Sequence, residues 1–331
     1  MGIRLGDVIL PSKVLLAPMS GVTDRPFRKI VRKHGPSLVF SEMLASREMI
    51  HIFQQKTRDV KSISGIGEEE PFAVQLAGWD PQIMATAAKH LVDRGAKIVD
   101  LNMGCPAKKV VKRYAGSAIM KDLKLARDIL VAVVNAVKVP VTLKMRTGWD
   151  DKSRNAPELA KIAEDIGIQM LTIHGRTRCQ FYSGKADWRF IARVKETVDI
   201  PVIANGDITN AFEAKECLRQ SKADGIMIGR GAYGRPWIVS QISLFLDDGF
   251  YRPPPKLMAQ RDLLLEHVQE ILTHYGRELG AKVSRKHICW YTKGLPSSAN
   301  FRKDIFSKTQ PKDLLLGIHQ LYSFADMNMA A

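Results

Sequence analysis

Eight short β-branched runs, each followed by a longer helical pattern, fill the chain between residues 14 and 228. The runs are Val14–Pro18, Leu38–Glu42, Phe72–Leu76, Ile98–Asn102, Val141–Met145, Met170–His174, Val202–Asn205 and Gly225–Ile228. Between them, Pro81–Arg94, Lys124–Val137, Ala156–Ile166 and Ala211–Gln220 repeat apolar residues at helical spacing. Eight strand–helix units predict an α/β fold, the TIM (β/α)8 barrel. A doubly wound sheet also alternates strand and helix, but it does not require eight units.

Side chains alternate faces along a strand. Thr142 and Lys144 therefore share one face, Asp100 and Asn102 another such face, and Thr172 and His174 a third. The opposite faces are largely apolar, as packing against outer helices demands. Seven runs end at or beside a polar residue: Glu42, Gln75, Asn102, Lys144, His174, Asn205 and, just past the last, Arg230. Active sites of this fold sit at the C-terminal ends of the strands, so these residues are expected to share one site.

After Gly249 the pattern changes. Arg252-Pro253-Pro254-Pro255 is a stiff linker that cannot continue a helix. Leu257–Arg277 then carries Leu264, Val268, Ile271, Leu272 and Tyr275 at helical spacing, with no further strand–helix unit beyond it. The expected division is a barrel over residues 1–250 and an all-α helical domain over 255–331. From Arg277 to Lys312 there are nine basic and two acidic residues, interleaved with Trp290, Tyr291 and Phe301. The charges suit RNA, whereas the aromatics read better as the core of the helical domain.

The whole chain is basic as well, with 50 Lys and Arg against 34 Asp and Glu over 331 residues. Such an excess attracts polyanions, nucleic acid above all, although some soluble proteins are simply basic. No apolar run reaches the length that spans a bilayer. Met1 to Pro11 lacks the layout of a signal peptide, and Gly6 stands where a myristoylation signal needs Ser or Thr. The expected location is the cytoplasm. Cys105, Cys179, Cys217 and Cys289 form no C-x-x-C pair, which argues against structural zinc and against a disulfide framework. No metal is expected.

Of these cysteines, Cys105 stands apart. It lies in Asp100-Leu101-Asn102-Met103-Gly104-Cys105-Pro106-Ala107-Lys108-Lys109, on a loop at the functional face with Lys108 and Lys109 beside it. That setting favours reactivity; the other three read as ordinary thiols. Lys144 is costly inside a barrel unless paired, but it would stabilise negative charge developing on an electron-rich ring. His174 is followed by Gly175-Arg176-Thr177-Arg178, a setting for an anion or RNA contact. Asn205-Gly206-Asp207 and Gly229-Arg230-Gly231 follow the seventh and eighth runs, where this fold commonly binds phosphate. Gly229 to Gly234 also spells G-x-G-x-x-G, but no strand follows, so a dinucleotide fingerprint is not implied. A flavin mononucleotide fits this site, although spacing alone does not name it.

Ala17-Pro18-Met19, Val74-Gln75-Leu76-Ala77-Gly78, Leu101 to Lys109, Lys144-Met145-Arg146-Thr147-Gly148, Ile173 to Thr177, Asn205-Gly206-Asp207 and Gly229-Arg230 closely resemble, in order, the motifs of tRNA-dihydrouridine synthases. Arg285-Lys286-His287 with Trp290-Tyr291 resembles the bacterial B-type subgroup. The resemblance implies FMN bound through Pro18, Met19, Ser20, Gln75, Lys144, Asn205, Gly206, Asp207, Gly229 and Arg230, with His174 at the phosphate. It implies NADPH (or NADH) as reductant, hydride transfer to C6 of a uracil, and Cys105 as the acid that protonates C5. Asn102 would hold the base, and Arg176 and Arg178 would contact tRNA. No protein partner and no membrane are implied. The resemblance points to position 17 of the D-loop. Two rivals stand beside this reading. A small-molecule flavin oxidoreductase leaves the basic tail unexplained, and a non-catalytic RNA binder leaves Gln75, Lys144 and Cys105 unexplained.

Overall fold

The computed structural model describes residues 2–10, 12–35, 38–55 and 72–330. Met1, Pro11 and Ala331, which bound three of the readings above, lie outside them. Eight parallel strands close into a barrel: β3 (Val14–Leu16), β4 (Val39–Ala45), β5 (Phe72–Ala77), β6 (Ile98–Met103), β7 (Val141–Arg146), β8 (Met170–His174), β9 (Val202–Asn205) and β10 (Gly225–Ile228), with β10 pairing back onto β3. The TIM-barrel expectation holds.

Two apolar layers follow from the alternation. Val99, Leu101, Leu143, Leu171 and Ile173 face outward and pack with the surrounding helices. Leu15, Phe40, Ala73, Ile98, Met170, Ile203 and Met227 fill the interior near the strands' N-terminal ends. A small antiparallel hairpin, β1 (Arg4–Leu5) with β2 (Val8–Ile9), seals that end by adding Ile3, Leu5 and Leu10 to the inner cluster. The sequence reading missed this plug because two-residue strands leave no periodic signal. The interior toward the other end is polar, so the apolar floor carries a polar mouth.

Several barrel helices begin where a side chain caps free N–H groups. Asp24 accepts from Phe27 N, Asp80 from Gln82 N and Ile83 N, Asp122 from Leu125 N, and Asp187 from Phe190 N. The expected helix from Leu257 to Arg277 ends at Tyr275, because Gly276 at φ +78° turns the chain and Arg277 opens the next helix.

The helices Leu257–Tyr275, Arg277–Tyr291, Ser298–Ile305 and Pro311–Ala330 bury Leu264, Val268, Ile288, Tyr291, Leu314 and Tyr322 in a further cluster, which Trp237 joins from the barrel side. Tyr291 and Phe301 belong to that cluster, as expected of the aromatics there. Trp290 instead stacks on Tyr233 of the barrel at 4.1 Å between ring centroids. The seam is tight: a Cβ on Gly234 would lie 2.4 Å from the Trp290 carbonyl carbon. The last glycine of the G-x-G-x-x-G match thus serves close packing between barrel and bundle. Across the same seam, Tyr275 donates to Asp24 at 3.0 Å, and Lys29 and Lys33 pair with Glu270 and Glu266.

Candidate active site

The register of the barrel lines up the inward polar residues at its mouth. Gln75 sits beside Asp100, Asn102 beside Lys144, Arg146 beside His174, and His174 beside Asn205. They border a cleft of about 470 Å³, within the usual range for a cofactor or small-molecule site. Pro18, Met19, Ser20, Gln75, Asn102, Cys105, Lys144, His174, Asn205, Gly206, Asp207, Gly229 and Arg230 all line it. Glu42 does not; it accepts from Gly21 N and so braces the Met19–Gly21 loop from outside the cleft. Lys286, reaching from the helical bundle, donates to the Gly21 carbonyl of the same loop.

One hydrogen-bonded chain runs from the strand floor to the cysteine. Asp100, 1% exposed, accepts from Thr142 Oγ1 at 2.6 Å and from Gln75 Nε2 at 2.7 Å. A carboxylate only accepts, so Gln75 must turn its amide nitrogen to Asp100 and its oxygen to Asn102 Nδ2, at 2.8 Å. That leaves Asn102 Oδ1 to accept from Gly104 N at 3.1 Å and Cys105 N at 2.9 Å. Each link sets the direction of the next, and the last link holds the Cys105 loop. Asn102 is therefore first an anchor for Cys105.

A second network sets the opposite wall. Asn205 Nδ2 donates to the Met227 carbonyl at 2.7 Å, so its Oδ1 faces Lys144 Nζ at 3.2 Å and His174 Nδ1 at 2.8 Å. His174 then carries its proton on Nδ1, the tautomer the network selects. Burial, with Arg146 and Lys144 beside it, holds the imidazole well below the ordinary histidine range, so the ring is neutral. Burial also lowers Lys144 from the usual lysine value, opposed chiefly by the Asp100 carboxylate, and raises Asp100 from the usual carboxylate value. Arg146 is lowered by burial to about 10 and stays charged at neutral pH.

Arg146 was not singled out in the sequence, though it continues the inward row of Thr142 and Lys144 by one further alternation. It is 2% exposed and donates to the carbonyls of Gly104 at 2.9 Å, Thr177 at 2.9 Å and Phe181 at 2.8 Å. It thereby ties the Cys105 loop to the loop after β8. Tyr182 of that loop also lines the cleft, beneath the Arg230 guanidinium at 4.5 Å. No local pattern marks a tyrosine eight residues past a strand end, so only the fold reveals it.

Of the two arginines expected to touch RNA, Arg176 is placed otherwise. Arg176 is 2% exposed and is spent on Asp207 at 2.6 Å and on the carbonyls of Ser183 and Gly184. It is an internal brace, because a guanidinium this deep needs protein acceptors on every side. Arg178 lies over the Trp149 ring at 4.7 Å, and neither residue lines the cleft. The Asp207 carboxylate is likewise occupied, taking Arg176 and Ala186 N at 2.7 Å. What Gly206 and Asp207 offer a ligand is backbone: both take positive φ, +123° and +57°, in a turn between strand end and helix. The neighbouring Gly229 leads into a single 3-10 turn, Arg230–Ala232, in place of a full helix start.

Among the described residues no three His, Cys, Asp or Glu gather within metal-binding reach, and no helix is long and apolar enough to cross a membrane.

An eight-stranded barrel with a half-buried cysteine, a cationic wall and a pair of glycine turns at its C-terminal mouth has the build of a TIM-barrel enzyme. Its structural neighbours share that fold: histamine dehydrogenase from Rhizobium sp. 4-9 (TM-score 0.56, 14% identity, 81% of this chain and 50% of that one) and a mutant morphinone reductase in complex with tetrahydroNAD (TM-score 0.50, 14% identity, 73% and 89%). The dihydrouridine synthase (Dus) family profile matches residues 15–324. A probable tRNA-dihydrouridine synthase of Rickettsia bellii is 56% identical over 91% of both chains. tRNA-dihydrouridine synthase B of Xanthomonas axonopodis pv. citri is 46% identical over 96% of this chain and 95% of its own, and that of Pseudomonas aeruginosa 46% over 94% and 92%. The chain belongs to the dihydrouridine synthase family.

Proposed function

We propose that this protein reduces the C5=C6 bond of a D-loop uridine in tRNA to 5,6-dihydrouridine, with FMN as cofactor and NADPH, or NADH, as reductant. The observation that carries the reading is Cys105, anchored by Asn102 at the rim of the cleft that Lys144, His174 and Asn205 line. Residues 1–250 are then the catalytic barrel and 255–331 the tRNA-binding domain, acting in the cytoplasm. Position 17 is what the sequence's resemblance to the B-type subgroup implies, and the relatives named synthase B at 46% identity agree with that subgroup.

The donor set fits FMN. Lys144, Gln75 and Asn205 offer polar groups at the cleft wall for the ring edge, and Pro18, Met19 and Ser20 border it on another side. The turns at Gly206-Asp207 and Gly229, with the Arg230 side chain, suit the phosphate. His174, neutral and held by Asn205, sits between these groups rather than acting as a cation on the phosphate. When bound and reduced, FMN supplies a hydride to C6 of the uracil.

Cys105 supplies the proton at C5, as a general acid and not as a covalent nucleophile. The thiolate that remains is attracted by Lys144 and Arg146, whose own charges it favours. The second proton on Asn102 Nδ2, not used by Gln75, is available to a uracil carbonyl. A base must leave its stack to arrive there, which costs a few kcal/mol and must be offset by RNA contacts; the basic surface provides them.

The test is nucleoside mass spectrometry of unmodified tRNA incubated with purified protein and NADPH. New dihydrouridine is expected. A yellow, NADPH-oxidising protein that makes none would transfer the reading to a small-molecule flavoenzyme.

A further inference from the structure

The segment after Cys105 carries a feature that neither folding nor the chemistry above explains. Lys108–Val111 is a single helical turn that ends in a Schellman-type cap: Ala115 N donates to Val110 O and Tyr114 N to Val111 O. The residue at the left-handed position of such a cap is usually glycine. Here it is Tyr114, at φ +55°. A tyrosine is disfavoured in that backbone conformation, and it gains nothing by burial, since it is 73% exposed.

The surroundings point to what the ring meets. Lys108, Lys109, Lys112 and Arg113 are exposed around it, and no acidic residue lies between Asp100 and Asp122. Among the described residues none of these four cations forms an ion pair. Lys109 and Val110 line the same cleft as Cys105. The loop is also coupled to the cysteine: Ser117 donates to the Cys105 carbonyl through N at 3.1 Å and through Oγ at 2.9 Å, and a Cβ on Gly116 would lie 2.7 Å from that oxygen. An exposed aromatic ring among unpaired cations, rigidly attached to the reacting residue, has the chemistry of a nucleobase stacking platform.

We propose that Tyr114 is an RNA-contact residue whose ring stacks on a base of the bound tRNA next to the uridine entering the cleft, while the surrounding cations hold the flanking phosphates. The proposal rests on the tRNA reading above. It makes the Cys105 loop a guide for the strand as well as the carrier of the acid. The strained cap keeps the ring outside the protein, where a base can reach it.

The test compares Tyr114→Gly and Tyr114→Phe with the wild-type, FMN-loaded full chain. Dihydrouridine formation gives KM and kcat for unmodified tRNA, and NADPH oxidation without tRNA and thermal melting are read on the same preparations. Tyr114→Gly is expected to raise KM by about tenfold or more, as loss of one base–aromatic stack does. It should leave tRNA-independent oxidation unchanged and keep or raise the melting temperature, because glycine accepts the left-handed backbone. Tyr114→Phe, which keeps the ring face, should restore KM. A wild-type KM in Tyr114→Gly, a phenylalanine variant as poor as glycine, or a lowered melting temperature accompanying the loss would each overturn the proposal. If the wild-type chain itself makes no dihydrouridine, the tRNA reading fails first and this inference with it.

Discussion

Replacing Asp100 with leucine tests whether the hydrogen-bonded chain from the barrel floor orients the proton donor. The substitution removes the acceptor of two buried donors, Gln75 Nε2 at 2.7 Å and Thr142 Oγ1 at 2.6 Å. Each buried donor left unsatisfied costs about 1–3 kcal/mol. Part of that is recovered, because the protein no longer buries a carboxylate whose pKa burial has raised. We expect a net loss of about 2–4 kcal/mol, read as a lower urea midpoint at unchanged slope. Gln75 then loses its reason to point its oxygen at Asn102, and Asn102 its reason to turn Oδ1 toward Cys105 N. A reacting group displaced by about 1 Å costs about 10²-fold, so single-turnover dihydrouridine formation at saturating tRNA should fall by that order with FMN still bound. Asp100→Asn keeps an oxygen for Gln75 and should retain most of the turnover. If Asp100→Leu turns over at the wild-type rate, the chain does not orient Cys105 and the argument is refuted.

Cys105→Ala should keep the yellow cofactor and lower dihydrouridine formation by about 10²–10⁴-fold, the usual contribution of a general acid; near-normal turnover would remove the thiol from the mechanism. tRNA affinity should fall by at least about tenfold between 50 and 200 mM salt, through lost counterion release, and a flat titration would argue against a phosphate-binding surface. Gly234→Ala forces a Cβ against the backbone of Trp290 at a φ of +67° and should destabilise by about 1–3 kcal/mol, read by thermal melting. His267 is fully buried, and burial depresses its imidazole to about 3 from an ordinary 6.5. For a base depressed in the folded state, the stability is complete above pH 6.5 and is lost as pH falls toward 3. At pH 5 the loss is about 2 kcal/mol, and in His267→Phe, urea unfolding at pH 7 and pH 5 should show that much less acid sensitivity.

The barrel was legible because its signal is local and repeated. Period-2 alternation in Thr142–Lys144 and Asp100–Asn102 already separates an inward from an outward face, and a closed parallel barrel then puts every strand's C-terminal end on one rim. Gln75, Cys105, Lys144, His174 and Asn205 could therefore be brought to one site from the sequence, and all five line the cleft. Arg146 was within reach of the same alternation.

What the sequence left open depends on which partner a side chain meets across the fold. Arg176 and Arg178 look alike as basic residues past a strand end, yet one is sealed against Asp207 and the other lies on Trp149. Asn102 reads as a ligand for a base, but its oxygen is already given to the Cys105 backbone. Gly234 ends a G-x-G-x-x-G match that implies no dinucleotide site, and what it does in the fold is pack against the Trp290 backbone of the helical bundle. The chain's own order determined the barrel, the rim residues and the basic surface, because periodicity and composition act within a few neighbouring residues. The orientation of each polar group was decided only in three dimensions, because a hydrogen bond's direction is set by donors and acceptors that lie tens of residues away along the chain.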